Sequence, residues 1–214
     1  SRVVTKGWGS RTSLFLQALA QSGYVIFMLD NRGTPGQGKE FLDQIYKGFG
    51  TIENDDQALG AKYLKTLPFI KGDRIGIYGH SYGGYNTLMS LLRHGDLYAA
   101  GVAAAPVSDW KLYDTFYTER FIGMPDAKGG VYERGDATKL ADKLSKPLLL
   151  IHGMADDNVF LDNSVRMAAA LQQARKPFDM MFYPGERHGF YDTNLAAHYY
   201  LSAKAFFDRE LMGK

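Results

Sequence analysis

The residues with the clearest chemical potential lie in the segment Gly79-His80-Ser81-Tyr82-Gly83. This Gly-x-Ser-x-Gly pattern follows the short apolar run 74–78 and precedes the helix-like run 85–92. At a sharp turn from a strand into a helix it predicts a nucleophile elbow, in which the strained turn raises the serine oxygen above the sheet. Glycines are expected to flank the serine because a Cβ would clash there. The backbone N–H of Tyr82 is then expected to point at a developing oxyanion.

A serine nucleophile needs a base to remove its proton and an acid to orient that base. In the chain order serine, acid, histidine, the acid is expected after a later strand and the histidine last. The apolar run 148–151 leads into a loop with Asp156 and Asp157, and the run 178–183 leads into a loop with His188. These positions predict His188 as the base, whereas spacing alone leaves both aspartates open as the acid.

The other four histidines favour structural interpretations. His80 adjoins the nucleophile, but neighbouring side chains on an elbow diverge, so we expect it to pack rather than react. His152 ends a strand and is expected to hydrogen-bond within its loop. His94 and His198 fall on predicted helices, where they would be solvated or satisfied locally.

Two further features resemble functional sites and are better explained structurally. The glycine-rich stretch 33–39 lacks the Gly-Lys-Ser/Thr ending of a phosphate-binding loop and therefore predicts a turn. Glu53, Asp55 and Asp56 are interpreted as charges in the first turn of a helix rather than as metal ligands.

The elements that must position these residues alternate along the chain. Short apolar runs without polar alternation, typical of strands buried on both faces of a parallel sheet, occur at 24–29, 74–78, 99–104, 147–151 and 178–183. Helices are predicted at 12–21 and 53–66, from an N-cap at Asp162 to about residue 174, and after an N-cap at Asp192 or Thr193. This alternation predicts a doubly wound α/β fold, with ligands beyond the carboxyl ends of the strands.

Composition narrows the classes of function. The 214 residues suit one domain, and 45% hydrophobic residues suffice for a core. The net charge is +2 and basic and acidic residues are interspersed, so the sequence shows no basic patch of the kind that binds nucleic acid or an anionic membrane. No apolar run approaches the roughly 20 residues that span a bilayer. The lack of cysteine excludes thiol chemistry and disulfides, and we expect no metal or organic cofactor. The chain begins at Ser1 without a signal-peptide pattern, so we expect it to be a piece of a longer polypeptide. Both the bacterial periplasm and the cytoplasm fit this sequence as the compartment.

Several stretches together resemble the prolyl oligopeptidase family, and within it the dipeptidyl peptidase IV branch. They are Asp30 to Thr34, Gly79 to Gly84, Ala105 to Trp110, Tyr113 to Arg120, His152 to Val159, and Tyr183-Pro184 with His188-Gly189. The resemblance implies an α/β-hydrolase fold with Asp156 as the triad acid and Asn158 holding a substrate carbonyl. It further implies a pocket for proline or alanine lined by Tyr82, Val107, Trp110, Tyr113, Tyr117 and Val159. The implied reaction releases N-terminal dipeptides through an acyl-enzyme on Ser81. His80 departs from the tryptophan that many relatives carry.

The resemblance also implies parts outside residues 1–214, which we interpret as a single catalytic domain at the C-terminal end of its parent. A β-propeller is expected upstream, followed by a tyrosine that donates the second oxyanion hydrogen bond. A strand is expected between 24–29 and 74–78, so these residues alone would leave a gap in the sheet and be nearly inactive. The family implies a peptide substrate and a homodimer or larger oligomer. An acylaminoacyl peptidase or carboxylesterase of the same fold, and an inactive assembly module, remain the alternatives.

Overall fold

The computed structural model describes residue 4, residues 10–125 and residues 130–213 of the chain. Four strands form one parallel sheet in the order β1-β2-β3-β4. They are β1 (Gly76–His80), β2 (Ala100–Ala104), β3 (Leu148–Gly153) and β4 (Asp179–Tyr183). Because all four strands run the same way, their carboxyl ends meet at one edge, where the loops carrying the candidate site begin.

Eight α-helices connect and flank the described strands. They are α1 (Arg11–Gln21), α2 (Lys39–Asp43), α3 (Ile52–Lys65), α4 (Tyr82–Arg93), α5 (Thr115–Ile122), α6 (Val131–Arg134), α7 (Asp162–Gln173) and α8 (Thr193–Phe207). Short 3₁₀ helices at Trp110–Leu112 and Ala137–Lys143, and a π-helical turn at Asp208–Met212, complete the described elements. None of the helices in the described part of the chain is long and apolar enough to cross a bilayer.

Two apolar layers cover the two faces of the sheet. On one face α3, α4 and α7 bury residues such as Ala61, Leu88 and Met167 against the sheet. On the other face α1 and α8 bury residues such as Phe15 and Tyr199. Helices on both faces of a parallel sheet confirm the predicted doubly wound α/β class.

The prediction of a strand at 24–29 is wrong, because the structure gives this segment no strand pairing. Among the described residues, β1 is an edge strand whose sheet partner is β2. A cavity of about 570 Å³ lies where the predicted gap was placed, lined on one side by residues 24–29 and on the other by Arg74 to Tyr78. A segment forms a strand only when the backbone of an adjacent strand hydrogen-bonds with its N–H and C=O groups. The apolar composition of a segment does not show whether such a strand lies beside it.

Other boundaries shift slightly. β1 begins and ends two residues later than predicted, so it reaches His80 directly before the nucleophile. Asp162 is the first residue of α7 and makes no capping hydrogen bond, contrary to the prediction. Asp192 rather than Thr193 caps α8, its side chain accepting from the backbone N–H groups of Asn194 and Leu195. Most of the N-terminal residues before α1 lie outside the described part.

Candidate active site

Ser81 occupies a strained turn between β1 and α4. Its φ of 60° and ψ of −121° lie in a region that non-glycine residues rarely adopt. The Ser81 N–H donates to the carbonyl of Ala104 at 2.8 Å, which ties the turn to the end of β2. The predicted nucleophile elbow therefore has the backbone that such a turn requires.

The glycines around Ser81 differ in what they permit. A Cβ on Gly79 would overlap the backbone carbonyl of Gly83, and one on Gly84 would lie 2.6 Å from the Ala104 carbonyl oxygen. At Gly83 a Cβ would meet no heavy atom within 4 Å. The expectation that a Cβ would clash at both flanking glycines therefore holds for Gly79, which faces the Gly83 backbone, and is wrong for Gly83, whose Cβ position is open.

Ser81, His188 and Asp156 form one hydrogen-bonded chain. His188 Nε2 lies 2.9 Å from Ser81 Oγ, and His188 Nδ1 lies 2.8 Å from Asp156 Oδ2. Because the Asp156 carboxylate accepts, Nδ1 carries the ring proton and Nε2 is left to accept from the serine hydroxyl. The three side chains thus have the arrangement of a nucleophile, its base and the acid that orients the base.

The surroundings of Asp156 and Asp157, which spacing left open and the resemblance distinguished, differ in the structure. The Asp156 side chain is fully buried, and its Oδ1 accepts from the backbone N–H groups of Asn158 at 2.9 Å and Val159 at 3.0 Å. Burial alone would raise the pKa of Asp156, but hydrogen bonds from His152, His188 and the Asn158 amide outweigh burial and hold the pKa below its usual range. The Asp157 side chain is 64% exposed and pairs instead with Arg187 at 2.8 Å.

The acid and histidine loops meet through their backbones. A Cβ on Gly153 would overlap the carbonyl of Arg187, so only glycine allows this approach. The Ala155 N–H donates to the Glu186 carbonyl at 2.9 Å, joining the two loops directly. The buried Glu186 carboxylate in turn accepts from the Tyr191 N–H at 2.9 Å, which shapes the loop around His188.

The remaining histidines have defined surroundings. The ring of His80 packs against that of His188, the predicted base, with centroids 4.7 Å apart, so it packs as expected. His152 Nε2 lies 2.8 Å from the Val159 carbonyl oxygen, within its own loop as predicted. His94 Nε2 lies 3.0 Å from Asp55 Oδ1, and His198 Nδ1 lies 2.9 Å from the Tyr183 hydroxyl.

Aromatic rings pack beside Ser81 in a continuous cluster. Trp110 stacks on Tyr117 at a centroid distance of 6.1 Å and meets Tyr113 edge-on at 6.0 Å. Tyr82 lies 5.7 Å from Trp110. The family resemblance predicts all four rings as lining residues of the substrate pocket, and the structure places them together in this cluster. Such a box offers flat apolar faces with little side-chain entropy left to lose.

The other three lining or binding residues surround this box. Val107 and Val159 are buried, and Val107 belongs to the same apolar layer as Trp110. Asn158 is exposed, and its Oδ1 accepts from the Tyr113 hydroxyl at 2.8 Å. This hydrogen bond directs the Asn158 NH₂ group away from Tyr113, so it can serve as a donor to a ligand.

Sequence reasoning missed two residues of this region. Phe49 is 2% exposed and lies between Trp110 at 4.7 Å and Tyr82 at 5.1 Å. Glu53 lies in the first turn of α3 as expected, but it is buried and accepts from the Tyr82 hydroxyl at 2.7 Å. Nothing in the local sequence distinguishes Glu53 from the exposed Asp55 in the same turn, since the contact with Tyr82 is not local.

Other charged candidates make ordinary ion pairs. Asp56 holds the Arg32 guanidinium through both carboxylate oxygens, and Asp55 lies 3.3 Å from Arg93. Within residues 4, 10–125 and 130–213, no three His, Cys, Asp or Glu side chains converge in a way that could hold a metal ion.

Comparisons with known proteins match this geometry. A model of the prolyl oligopeptidase family matches residues 10–214. Human dipeptidyl peptidase 8 is 42% identical over 190 residues, which are 87% of this chain and 21% of that protein. Human prolyl endopeptidase FAP is 38% identical over 173 residues, which are 79% of this chain and 23% of that protein. The crystal structure of Porphyromonas gingivalis dipeptidyl peptidase 4 superimposes with a TM-score of 0.87 at 42% identity, covering 90% of this chain and 28% of that one. The chain thus spans less than a third of the length of these relatives.

Proposed function

The chain belongs to the prolyl oligopeptidase family of serine peptidases, and from this premise we propose that it supplies the catalytic residues of a dipeptidyl peptidase. The substrate is a peptide with proline or alanine in the penultimate position, and the product is its N-terminal dipeptide. The observation that carries the proposal is the hydrogen-bonded chain from Ser81 through His188 to Asp156, with distances of 2.9 and 2.8 Å.

The reaction begins when Ser81 Oγ attacks the carbonyl carbon after the penultimate residue. His188 Nε2 takes the serine proton, and Asp156 stabilises the imidazolium that forms. The backbone N–H of Tyr82 donates to the oxyanion of the tetrahedral intermediate. Collapse of this intermediate breaks the C–N bond, and His188 returns the proton to the leaving amine.

Water completes the cycle. It attacks the ester on Ser81 while His188 accepts one of its protons, and a second tetrahedral intermediate forms. Its collapse releases the dipeptide carboxylate, and the proton passes from His188 to Ser81 Oγ. The enzyme returns to its starting state with one water consumed.

The aromatic box supports the choice of substrate. A pyrrolidine ring or a methyl group would pack against the partly exposed rings of Tyr113 and Tyr117, in front of the buried Trp110, whereas a long side chain would clash. Asn158, oriented by Tyr113, donates to a carbonyl of the substrate. An acylaminoacyl peptidase or a carboxylesterase would share the triad without needing this box.

Hydrolysis of two substrates by the full-length protein tests the proposal. We expect a Gly-Pro chromogenic amide to be cleaved with a higher kcat/KM than a chromogenic ester of a short acyl group, and Ser81→Ala to abolish both. A preference for the ester, or no amide hydrolysis, would overturn the assignment as a dipeptidyl peptidase. The matched control is Ser22→Ala at the partly exposed C-cap of α1, which is expected to behave as wild type.

Two other expectations remain proposals. We expect the isolated 214 residues to turn over substrate slowly, since losing one oxyanion donor costs about 2.7–4 kcal/mol of transition-state stabilisation. Turnover equal to that of the full-length protein would contradict this. We also expect self-association through the surface around α8, which sedimentation of the full-length protein would measure.

A further inference from the structure

A buried carboxyl group lies behind the wall of the aromatic box. Glu53 is 0% exposed, and its Oε1 accepts two hydrogen bonds, from the Tyr82 hydroxyl at 2.7 Å and from the Gly50 N–H at 2.6 Å. A buried carboxyl group is costly unless it is hydrogen-bonded, so a protein retains one most readily where it has a defined partner. Of its two partners, the Tyr82 hydroxyl is the side chain, and the Gly50 N–H is the backbone group.

Glu53 is itself held from two directions. The Gly50 carbonyl accepts from the Arg93 guanidinium, which fixes the loop before α3. The next residue, Asn54, donates to Asn86 Oδ1 at 2.7 Å and to Ser90 Oγ at 2.9 Å, tying the start of α3 to α4. The carboxyl group therefore belongs to a frame that spans two helices, and it can act as a fixed anchor.

Tyr82 combines two roles at the site. Its backbone N–H directly follows Ser81, and its ring lies 5.1 Å from Phe49 and 5.7 Å from Trp110 in the wall of the box. Phe49 and Trp110 already pack against the phenol ring, and a hydrogen bond at its far end further restricts how the ring can tilt. The hydrogen bond to Glu53 holds that end, so it fixes the position of the wall.

The chemical state of Glu53 fits this role. Burial raises the pKa of the carboxyl group above its usual value, against the opposing hydrogen bonds from Gly50 and Tyr82. Its second oxygen, Oε2, has no hydrogen-bond partner among the described residues, which an ionised group would tolerate poorly. A neutral glutamine can therefore reproduce the acceptor that Tyr82 uses.

We propose that Glu53 is a positioning residue that sets the selectivity of the aromatic pocket by anchoring the Tyr82 hydroxyl. This inference rests on the proposed function, because Glu53 acts through Tyr82 on the pocket to which that function assigns the substrate. Without the hydrogen bond to Glu53, the Tyr82 ring can tilt further from Phe49 and Trp110. The pocket then excludes larger substrate side chains less strongly.

The test uses the full-length protein and two diphenyl aminophosphonates that modify Ser81, one carrying a pyrrolidine ring and one a benzyl group at the position that enters the pocket. Mass spectrometry measures the rate at which each compound modifies Ser81, and the quantity compared between variants is the ratio of the two second-order rate constants.

We expect Glu53→Ala and Tyr82→Phe each to lower the preference for pyrrolidine about three- to tenfold, as one lost hydrogen bond implies. Glu53→Gln should restore most of it, and the double variant Glu53→Ala/Tyr82→Phe should add little to either single change. Glu40→Gln, an exposed carboxylate in the first turn of α2 away from this frame, is the control and should leave the ratio unchanged.

An unchanged ratio in folded Glu53→Ala and Tyr82→Phe would overturn the inference, even if both rates fell together. If Glu53→Ala does not fold, Tyr82→Phe decides, because it removes only the hydroxyl. Absence of a preference for pyrrolidine in the wild type would overturn the proposed dipeptidyl peptidase function instead. In that case the ratio for fluorophosphonates with short and long alkyl chains reports on the same wall and decides the role of Glu53.

Discussion

His152 and Asp156 face each other with fully buried side chains, and His152 Nε2 lies 3.2 Å from Asp156 Oδ2. The same carboxylate oxygen accepts from His188, so the proposed triad acid lies between two imidazole rings. The neighbours of His152 Nε2 are both acceptors, which places the proton there and leaves Nδ1 to accept from the Ser164 hydroxyl at 2.7 Å. His152 thereby fixes the acid that fixes the base.

Replacing His152 by leucine is expected to destabilise the protein. The change leaves the buried Val159 carbonyl and the buried Ser164 hydroxyl without a partner on residue 152, and each buried unpaired group costs about 1–3 kcal/mol. The Asp156 carboxylate loses one of its hydrogen bonds and keeps those from His188 and the backbone. Urea unfolding would measure the loss. His94→Leu is the control, since its partner Asp55 is half exposed and regains water. A His152→Leu protein as stable as wild type would contradict the assignment.

The two adjacent aspartates are expected to differ sharply in activity. Asp156→Asn removes the acceptor that sets the His188 tautomer, and comparable changes lower kcat about ten thousandfold. Asp157→Asn removes only an exposed ion pair with Arg187, worth at most about 1 kcal/mol. Steady-state kinetics of both variants decides, and equal losses would show that the acid was assigned to the wrong residue.

The glycines of the elbow give a second matched pair. Gly79→Ala places a Cβ against the Gly83 backbone and is expected to prevent the elbow from forming. Gly83→Ala enters open space within α4, where alanine favours the helix by about 1 kcal/mol over glycine. Thermal unfolding should therefore show a lower Tm for Gly79→Ala and an unchanged or higher Tm for Gly83→Ala. The reverse order would refute this geometry.

The stability of the protein is expected to depend on pH through His80. Burial, together with the neighbouring His188, lowers the pKa of His80 to about 4 from 6.5. Because the unfolded chain binds this proton more readily than the folded one, stability is complete above about pH 6.5 and is lost as the pH falls toward 4. The loss approaches about 3 kcal/mol, since each pKa unit corresponds to about 1.4 kcal/mol.

The variant His80→Phe isolates this contribution, because phenylalanine does not titrate. The free energy of unfolding should fall less between pH 6.5 and 4 in His80→Phe than in wild type, measured by urea titration at each pH. Ser81→Ala, which leaves both imidazoles in place, should keep the steeper dependence. Parallel curves for wild type and His80→Phe would count against a buried neutral His80.

Much of the site was predictable because its chemistry is tied to chain order and to local backbone geometry. Glycine spacing and flanking apolar runs predicted the turn at Ser81, and the order serine, acid, histidine predicted His188. The aromatic residues of the box were predictable only through resemblance to a family. Glu53 and Phe49 could not be predicted, since their contacts with Tyr82 join segments that are far apart in the sequence.

The sequence by itself determined the α/β class, the elbow and the kind of chemistry, because these depend on local periodicity and on residues close together in the chain. Spacing in the sequence left Asp156 and Asp157 open and only the family resemblance favoured Asp156, whereas the tertiary structure shows that Asp156 is the buried carboxylate that meets a histidine 32 residues away. It also decided that residues 24–29 form no strand, because a strand exists only through a hydrogen-bonded neighbour. Pairing across the fold depends on three-dimensional proximity, and local sequence carries no measure of it.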